Sequence, residues 1–220
     1  VPALAQFTEY GSAEFAVRPF ILHDPERMLA TMLEWSQHEN PAVRRLASEG
    51  CRPRLPWGIA LPNLKADPSP ILPILEQLKA DESEFVRRSV ANNLNDISKD
   101  NPTVVVALLR RWWEHHTPEM RWIINHALWT LIKAGHPGAL ELLGYGTPEV
   151  AVANLVLEPN PVKLGDKLTL AFSIEAQGAE AQELMIDYVV HLLRANGKHN
   201  AKVFKLARRT LAPGETIDIT

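Results

Sequence analysis

Apolar residues along this chain follow two different periods. Over residues 1–148 they recur every three or four positions, which is typical of amphipathic α-helices. From Val150 onward they alternate with polar residues, as in 150–157 and 167–174, which is typical of half-buried β-strands. The pattern predicts a mainly α chain, with a helical domain over residues 1–148 and a β-domain over residues 149–220.

Prolines mark the predicted helix starts. Pairs such as Asn40-Pro41, Asn101-Pro102 and Thr117-Pro118 stand at the beginning of helical segments. Proline is tolerated in the first turn because its missing N–H has no partner there, and the preceding Asn or Thr side chain can cap the free amides. The 17 prolines therefore do not argue against helices.

The helical domain repeats itself. Three segments align on Val43, Val86 and Met120, whose spacings of 43 and 34 residues are typical of two-helix HEAT-type repeats. Each helix pair in such a repeat buries its apolar face by stacking on its neighbours. The sequence thus predicts a HEAT-like α-solenoid. The partner helices are expected at roughly 25–37, 70–80 and 102–115.

The β-domain has the strand and turn spacing of a small immunoglobulin-like β-sandwich. Turn signals at Asn160-Pro161, Gly165-Asp166 and Asn196-Gly197 separate its alternating segments. It lacks the cysteine pair of antibody domains, and about 70 residues are fewer than the usual ~100. We therefore expect a truncated sandwich with further strands beyond Thr220. Because the chain also begins without Met, we expect a fragment trimmed at both ends.

Charge and composition narrow the classes of function. The 220 residues carry a net charge of −3, so any contact with nucleic acid requires local basic patches. No uncharged apolar run of about 18 residues is present, which argues against a membrane span. The single cysteine, Cys51, cannot form an internal disulfide. We expect a cytoplasmic protein that does not associate with membranes.

The histidines do not indicate a metal site. His115 and His116 are adjacent and would point about 100° apart on a helix, and no His-x-x-x-His pair with a third ligand stands out. No glycine-rich phosphate loop is present either. We expect neither a metal nor a cofactor.

A column of polar residues is expected across the repeats. Arg88, Asn92 and Asp96 share the polar face of one aligned helix, and Arg45 and Glu49 occupy equivalent positions one repeat earlier. Stacked repeats place equivalent positions side by side, so these residues should gather on one surface. Two interpretations remain open: a functional surface, or a row of solvated ion pairs worth about 0.3–0.5 kcal/mol each.

A stiff loop over residues 51–58 lies between two repeats. It holds Arg52, Arg54 and Trp57 beside two prolines that restrict the backbone. Two roles for Trp57 remain open. It either presents its ring outward, where it could attract a cation, or covers the gap between repeats.

Several stretches of the helical domain resemble a family of DNA repair enzymes. They run from Glu14 to Phe20, from Arg44 to Trp57 and from Val86 to Pro102, and the run Asn-Asn-Leu-Asn-Asp-Ile-Ser-Lys-Asp-Asn-Pro in the third is specific. Over about residues 10–145 the chain is similar to the AlkC branch of the bacterial AlkC/AlkD DNA alkylation repair glycosylases. Some AlkC members carry an immunoglobulin-like C-terminal domain, which agrees with the β-domain.

The resemblance implies a reaction. It is hydrolysis of the N-glycosidic bond of cationic alkylated bases in DNA, chiefly N3-methyladenine and N3-methylcytosine, in base excision repair. As the bond lengthens, positive charge moves onto the deoxyribose, and nearby carboxylates stabilise that charge and orient a water. The implied catalytic residues are Glu14, Glu49 and Asp96, with Trp57 packing against the sugar or the cationic base.

The implied partner is alkylated double-stranded DNA, bound by a monomer. Sequence-independent binding of DNA comes from charged contacts to phosphates. The β-domain has a basic strip between Tyr188 and Pro213, which either reaches the DNA backbone or is a solvated strand edge protected by lysines. The residues expected to bind DNA are Arg45, Arg52, Arg54, Arg87, Arg88, Asn92, Lys99 and Arg121.

A second function also remains open. The chain could be a non-catalytic HEAT-repeat scaffold or nucleic-acid-binding module, whose arginine-rich ridge and β-sandwich bind partners without chemistry. The two hypotheses differ in what they require of Glu49 and Asp96, because only the glycosylase needs them for base release.

Overall fold

The computed structural model describes residues 2–163 and 165–220 and divides into two compact units. The division lies after Leu142, whereas the apolar period of the sequence changes near residue 148. Residues 143–148 therefore belong to the β unit. Glu149, which follows them, is bound within that unit: its N–H donates to Gln182 Oε1 over 2.7 Å, and its carbonyl accepts from the Gln177 N–H over 2.8 Å.

The first unit is helical. Besides a 3₁₀ turn over Ser69–Ile71, its helices are α1 (Pro2–Phe7), α2 (Arg18–His23), α3 (Pro25–Trp35), α4 (Pro41–Gly50), α5 (Pro62–Ala66), α6 (Leu72–Leu78), α7 (Glu84–Ser98), α8 (Pro102–Trp113), α9 (Pro118–Ala127), α10 (Trp129–Lys133) and α11 (Pro137–Leu142). None of the described helices is long and apolar enough to cross a membrane.

Side-chain caps explain several helix starts. The Asp24 carboxylate accepts from the N–H of Arg27 at the start of α3, and the Asn40 side chain accepts from the N–H of Ala42 at the start of α4. The Thr117 hydroxyl accepts a bond from the backbone at the start of α9. Each cap satisfies an amide that has no partner within its helix, which is worth about 1 kcal/mol.

The longer helices pack in pairs, with α3 against α4, α6 against α7, and α8 against α9. Helix α7 also contacts α4 and α9, so the second helices of the pairs form a continuous row. The alignment residues Val43, Val86 and Met120 are buried, as their repeated position predicts. Helix α6 is shorter than expected because the 3₁₀ turn Ser69–Ile71 precedes it.

The second unit is a small β-sandwich. One sheet contains β1 (Val150–Glu158), β2 (Thr169–Ala176) and β5 (Thr216–Ile219) in that order. The other sheet is formed by β3 (Gln182–Leu193) and β4 (His199–Leu211) around the turn at Gly197, where φ is 75°. Neighbouring strands are antiparallel, with Val150 opposite Ala176 at one end of the β1–β2 pair.

The sandwich core is formed by both sheets. Ile174 and Ala176 of β2 are buried against Leu184 of β3 and Leu211 of β4. Partly buried apolar residues of the same strands and of β1 and β5 surround them. Apolar burial between the two sheets therefore holds this unit together.

Candidate active site

The guanidinium of Arg52 joins two buried carboxylates from different helices. Its Nη1 donates to Glu49 Oε1 of α4 over 2.7 Å, and its Nε and Nη2 both lie 2.8 Å from Asp96 Oδ2 of α7. Glu49 is 6% exposed and Asp96 is 3% exposed. Burial opposes the charge of Arg52, but the two carboxylates outweigh it and raise the pKa of the guanidinium above its ordinary value.

The other oxygens of both carboxylates also have partners. Glu49 Oε2 accepts from the Ser89 hydroxyl over 2.7 Å, and Asp96 Oδ1 accepts from Lys99 Nζ over 2.9 Å. A buried carboxylate is tolerated only when such bonds replace its water. The interpretation of the polar column as a row of solvated ion pairs is therefore wrong for Glu49 and Asp96.

A third carboxylate approaches the pair through Arg45. The Arg45 guanidinium lies 3.6 Å from Glu14 Oε2 and 3.6 Å from Glu49 Oε1, and it donates to Ser12 Oγ over 3.0 Å. It also rests on the ring of Phe85, 4.6 Å from the ring centroid. Glu14 Oε2 is buried and accepts no hydrogen bond from any residue that the structure describes. Arg45 is thus held more loosely against the carboxylates than Arg52.

The loop between α4 and α5 presents Trp57 to solvent. The Trp57 side chain is 98% exposed and its backbone has φ of 60°, which excludes the expectation that it covers a gap between repeats. The fully buried Arg18 fixes the backbone of this loop through hydrogen bonds. Its guanidinium donates to the carbonyls of Gly50 and Arg52 over 2.9 Å and to the carbonyl of Ile59 over 2.5 Å. The exposed ring therefore stands on a fixed backbone.

The residues expected to bind DNA lie in different surroundings. Arg52 is buried in the carboxylate cluster, and Arg54 pairs with Asp100 through two bonds of 2.6 and 2.7 Å. Arg88 is exposed and pairs with Glu84 over 2.6 Å, as the solvated ion-pair interpretation predicts. Phosphate would therefore reach Arg88 directly but Arg52 only after the cluster had opened.

The remaining predicted contacts lie on or near α7 and α9. Arg87 Nη1 donates to the carbonyls of Asp81 and Glu82 before α7. Arg121 of α9 is exposed, with its guanidinium 5.4 Å from the Trp113 ring centroid. Asn92 Oδ1 lies 2.8 Å from His126 Nε2 across the two helices.

Sequence reasoning missed the polar side chains that support the cluster from within α7. Ser89 bonds Glu49, and Asn93 Nδ2 donates to the carbonyl of Ser48 over 2.8 Å. Both are buried. Ser89, Asn93 and Asp96 follow one another at intervals of four and three residues, so they form a polar stripe inside the apolar face of α7. That stripe was a readable signal in the sequence.

Burial shifts the pKa values of both Cys51 and His126. Cys51 is fully buried, and burial raises the pKa of its thiol to about 12. Burial, followed by the charges of Arg88 and Arg52, lowers the pKa of His126. Among the described residues, no group of three or more His, Cys, Asp or Glu side chains could hold a metal ion.

Comparison with known proteins finds a matching family model for each of the two units. Residues 9–131 match the model of the DNA alkylation repair enzyme family, and residues 151–220 match that of the C-terminal Ig-like domain of uncharacterised protein YhaZ. YhaZ of Bacillus subtilis (strain 168) is 46% identical over 221 residues, covering 100% of this chain. The chain spans 61% of the length of that curated relative.

A solved structure is similar over nearly the whole chain. It is Pseudomonas fluorescens alkylpurine DNA glycosylase AlkC bound to DNA containing an abasic site analog, with 47% identity and a TM-score of 0.91. The match covers 99% of this chain and 61% of that one. It confirms the predicted fold of a helical region followed by a small immunoglobulin-like domain. The chain belongs to the DNA alkylation repair enzyme family.

Proposed function

We propose that this chain carries the site of a DNA glycosylase that hydrolyses the N-glycosidic bond of cationic alkylated bases. The observation that carries the proposal is the pair of buried carboxylates, Glu49 and Asp96, joined by Arg52. The second support is the 47% identity to a protein described as an alkylpurine DNA glycosylase bound to DNA. The partner is alkylated double-stranded DNA.

The carboxylates suit the charge that develops in the reaction. An alkylated base that already carries a positive charge leaves easily, so the main barrier is the oxocarbenium-like sugar. Negative groups fixed by hydrogen bonds stabilise that sugar without having to reorganise. Glu49 and Asp96 supply this charge. In this proposal Glu14 accepts a hydrogen bond from the attacking water, which is supported by its Oε2 having no hydrogen-bond partner among the described residues.

The free site is balanced in charge. Glu14, Glu49 and Asp96 face Arg45, Arg52 and Lys99, three acids against three bases. A cationic substrate gains from the carboxylates only if one of these bases leaves, and Arg45 at 3.6 Å is the loosest. We infer that Arg45 turns from the carboxylates to a DNA phosphate as the cationic base arrives.

The replacement of Arg45 by the cationic base also explains why the site would select cationic alkylated bases over unmodified ones. N3-methyladenine and N3-methylcytosine carry the positive charge that replaces Arg45, whereas an unmodified base does not. A neutral base therefore gains little from the site. The exposed ring of Trp57 packs against the sugar or the cationic base.

The test is a base-release assay on methylated duplex DNA, with each liberated base identified. Release of N3-methyladenine is the expected result, and release of N3-methylcytosine from a substrate containing it tests the finer assignment. A protein that binds the duplex but liberates no base would instead be a non-catalytic nucleic-acid-binding module.

A further inference from the structure

Helix α9 carries aromatic side chains at positions where α4 and α7, the second helices of the preceding pairs, carry polar or charged side chains. In the alignment of the repeats, Trp122 takes the place of Arg45 and Arg88, and His126 takes the place of Asn92. Helix α9 packs on α7 as α7 packs on α4. The row of equivalent positions therefore continues onto a third helix but changes its chemistry there.

Direct contacts fix this aromatic surface to the row. His126 Nε2 lies 2.8 Å from Asn92 Oδ1, so the imidazole nitrogen donates to the amide oxygen. The Trp122 ring stacks on the imidazole, with 5.1 Å between centroids and 25° between planes. Trp122 is nevertheless 39% exposed, so the stack leaves much of the indole open to solvent.

The stacked pair combines the apolar indole of Trp122 with the polar imidazole of His126, and exposed arginines lie on the same two helices. Burial, followed by the charges of Arg88 and Arg52, lowers the pKa of His126 and so disfavours protonation of the imidazole. Arg88, which is exposed, occupies the position equivalent to Trp122 one repeat earlier on α7. Arg121, also exposed, precedes Trp122 on α9, and its guanidinium lies 5.4 Å from the Trp113 ring centroid. An exposed indole with one arginine on its own helix and another on the neighbouring helix complements a deoxyribose and its phosphates.

We propose that Trp122, supported by His126, is a contact surface for the deoxyribose-phosphate backbone of the DNA duplex, beside the carboxylate cluster. The indole covers the apolar face of a deoxyribose, and Arg88 and Arg121 bind the phosphates on either side. This inference rests on the proposed function, because it takes duplex DNA as the partner.

The experiment compares two exposed tryptophans in the intact protein. Trp122→Leu removes the flat ring and keeps an apolar side chain, whereas Trp122→Phe keeps an aromatic face. Trp129→Leu is the matched control, since Trp129 is 45% exposed on α10 and lies outside the row. Affinity is measured by fluorescence anisotropy with a duplex that contains an abasic-site analogue, and thermal unfolding checks each fold.

We expect Trp122→Leu to weaken binding about tenfold and Trp122→Phe to stay within about threefold of wild type. Trp129→Leu should bind as wild type does. Wild-type affinity of Trp122→Leu, or equal losses in both leucine variants, would overturn the inference. The base-release assay on the wild-type protein tests the proposed function separately from the contact surface. If the wild-type protein binds the duplex but releases no base, the proposed function fails, and the tryptophan comparison still tests the contact surface. If the wild-type protein does not bind the duplex, both fail.

Discussion

Arg52 Nε donates to Asp96 Oδ2 over 2.8 Å, across 44 residues of sequence. The same guanidinium binds Glu49, so the two carboxylates share one cation between α4 and α7. Removing one member of a buried ion pair leaves the other uncompensated and costs about 3–5 kcal/mol. Variants of this cluster therefore need substitutions that keep the shape and hydrogen bonding of the carboxylates.

Glu49→Gln and Asp96→Asn should each slow release of N3-methyladenine about 10²–10³-fold, because each removes a negative charge from the reacting centre. The measurement is single-turnover base release at a temperature where every variant is folded.

Asp81→Asn is the matched control for these two variants. The Asp81 side chain is 5% exposed and pairs with Arg44 over 2.6 Å, as Asp96 pairs with Arg52, but it lies outside the cluster. It should lose stability and retain its rate of release. Equal losses of rate in all three variants would show that damage to the fold, rather than to the chemistry, explains the result.

Trp57→Gly should separate stability from function. The Trp57 ring is 98% exposed and its φ is 60°, a conformation that costs an L-residue about 1–2 kcal/mol and glycine almost nothing. We expect the melting temperature to stay the same or rise, while base release falls because the ring is gone. A large loss of melting temperature would show that the ring packs on the fold after all.

Binding of duplex DNA should depend strongly on salt. If six to ten phosphates are contacted, affinity falls by about 10³–10⁵-fold between 50 and 200 mM salt. Titration of a fluorescent duplex at several salt concentrations gives the slope, and Arg88→Ala should make it shallower by about one unit. A flat response in the wild type would contradict phosphate binding and favour a scaffold.

Cys51 should be unreactive in the folded protein. Burial raises the pKa of its thiol to about 12, so almost no thiolate exists at pH 8, and the thiol has no access to solvent. Labelling with a thiol reagent should be slow in buffer and immediate in denaturant. Rapid labelling of the native protein would mean that the end of α4 opens readily.

Some features of the site could be predicted from the sequence, and others could not be predicted from it. The repeat alignment placed Glu49, Asn92 and Asp96 on neighbouring helices, because the period of an α-helix fixes which residues share a face. It did not show that Glu49 and Asp96 are buried. Nor did it identify Arg18, whose carbonyl partners lie more than thirty residues away in the chain.

By itself, the sequence determined the helix starts, the change from helix to strand and the repeated positions of Val43, Val86 and Met120. These depend on caps, prolines and periodicity, which act between residues close in the chain. Tertiary packing alone decided that Arg52 reaches both carboxylates and that Trp57 stands exposed. Those outcomes depend on how α4 and its following loop pack against α7 and Arg18, because only that packing removes water from the carboxylates and fixes the loop backbone.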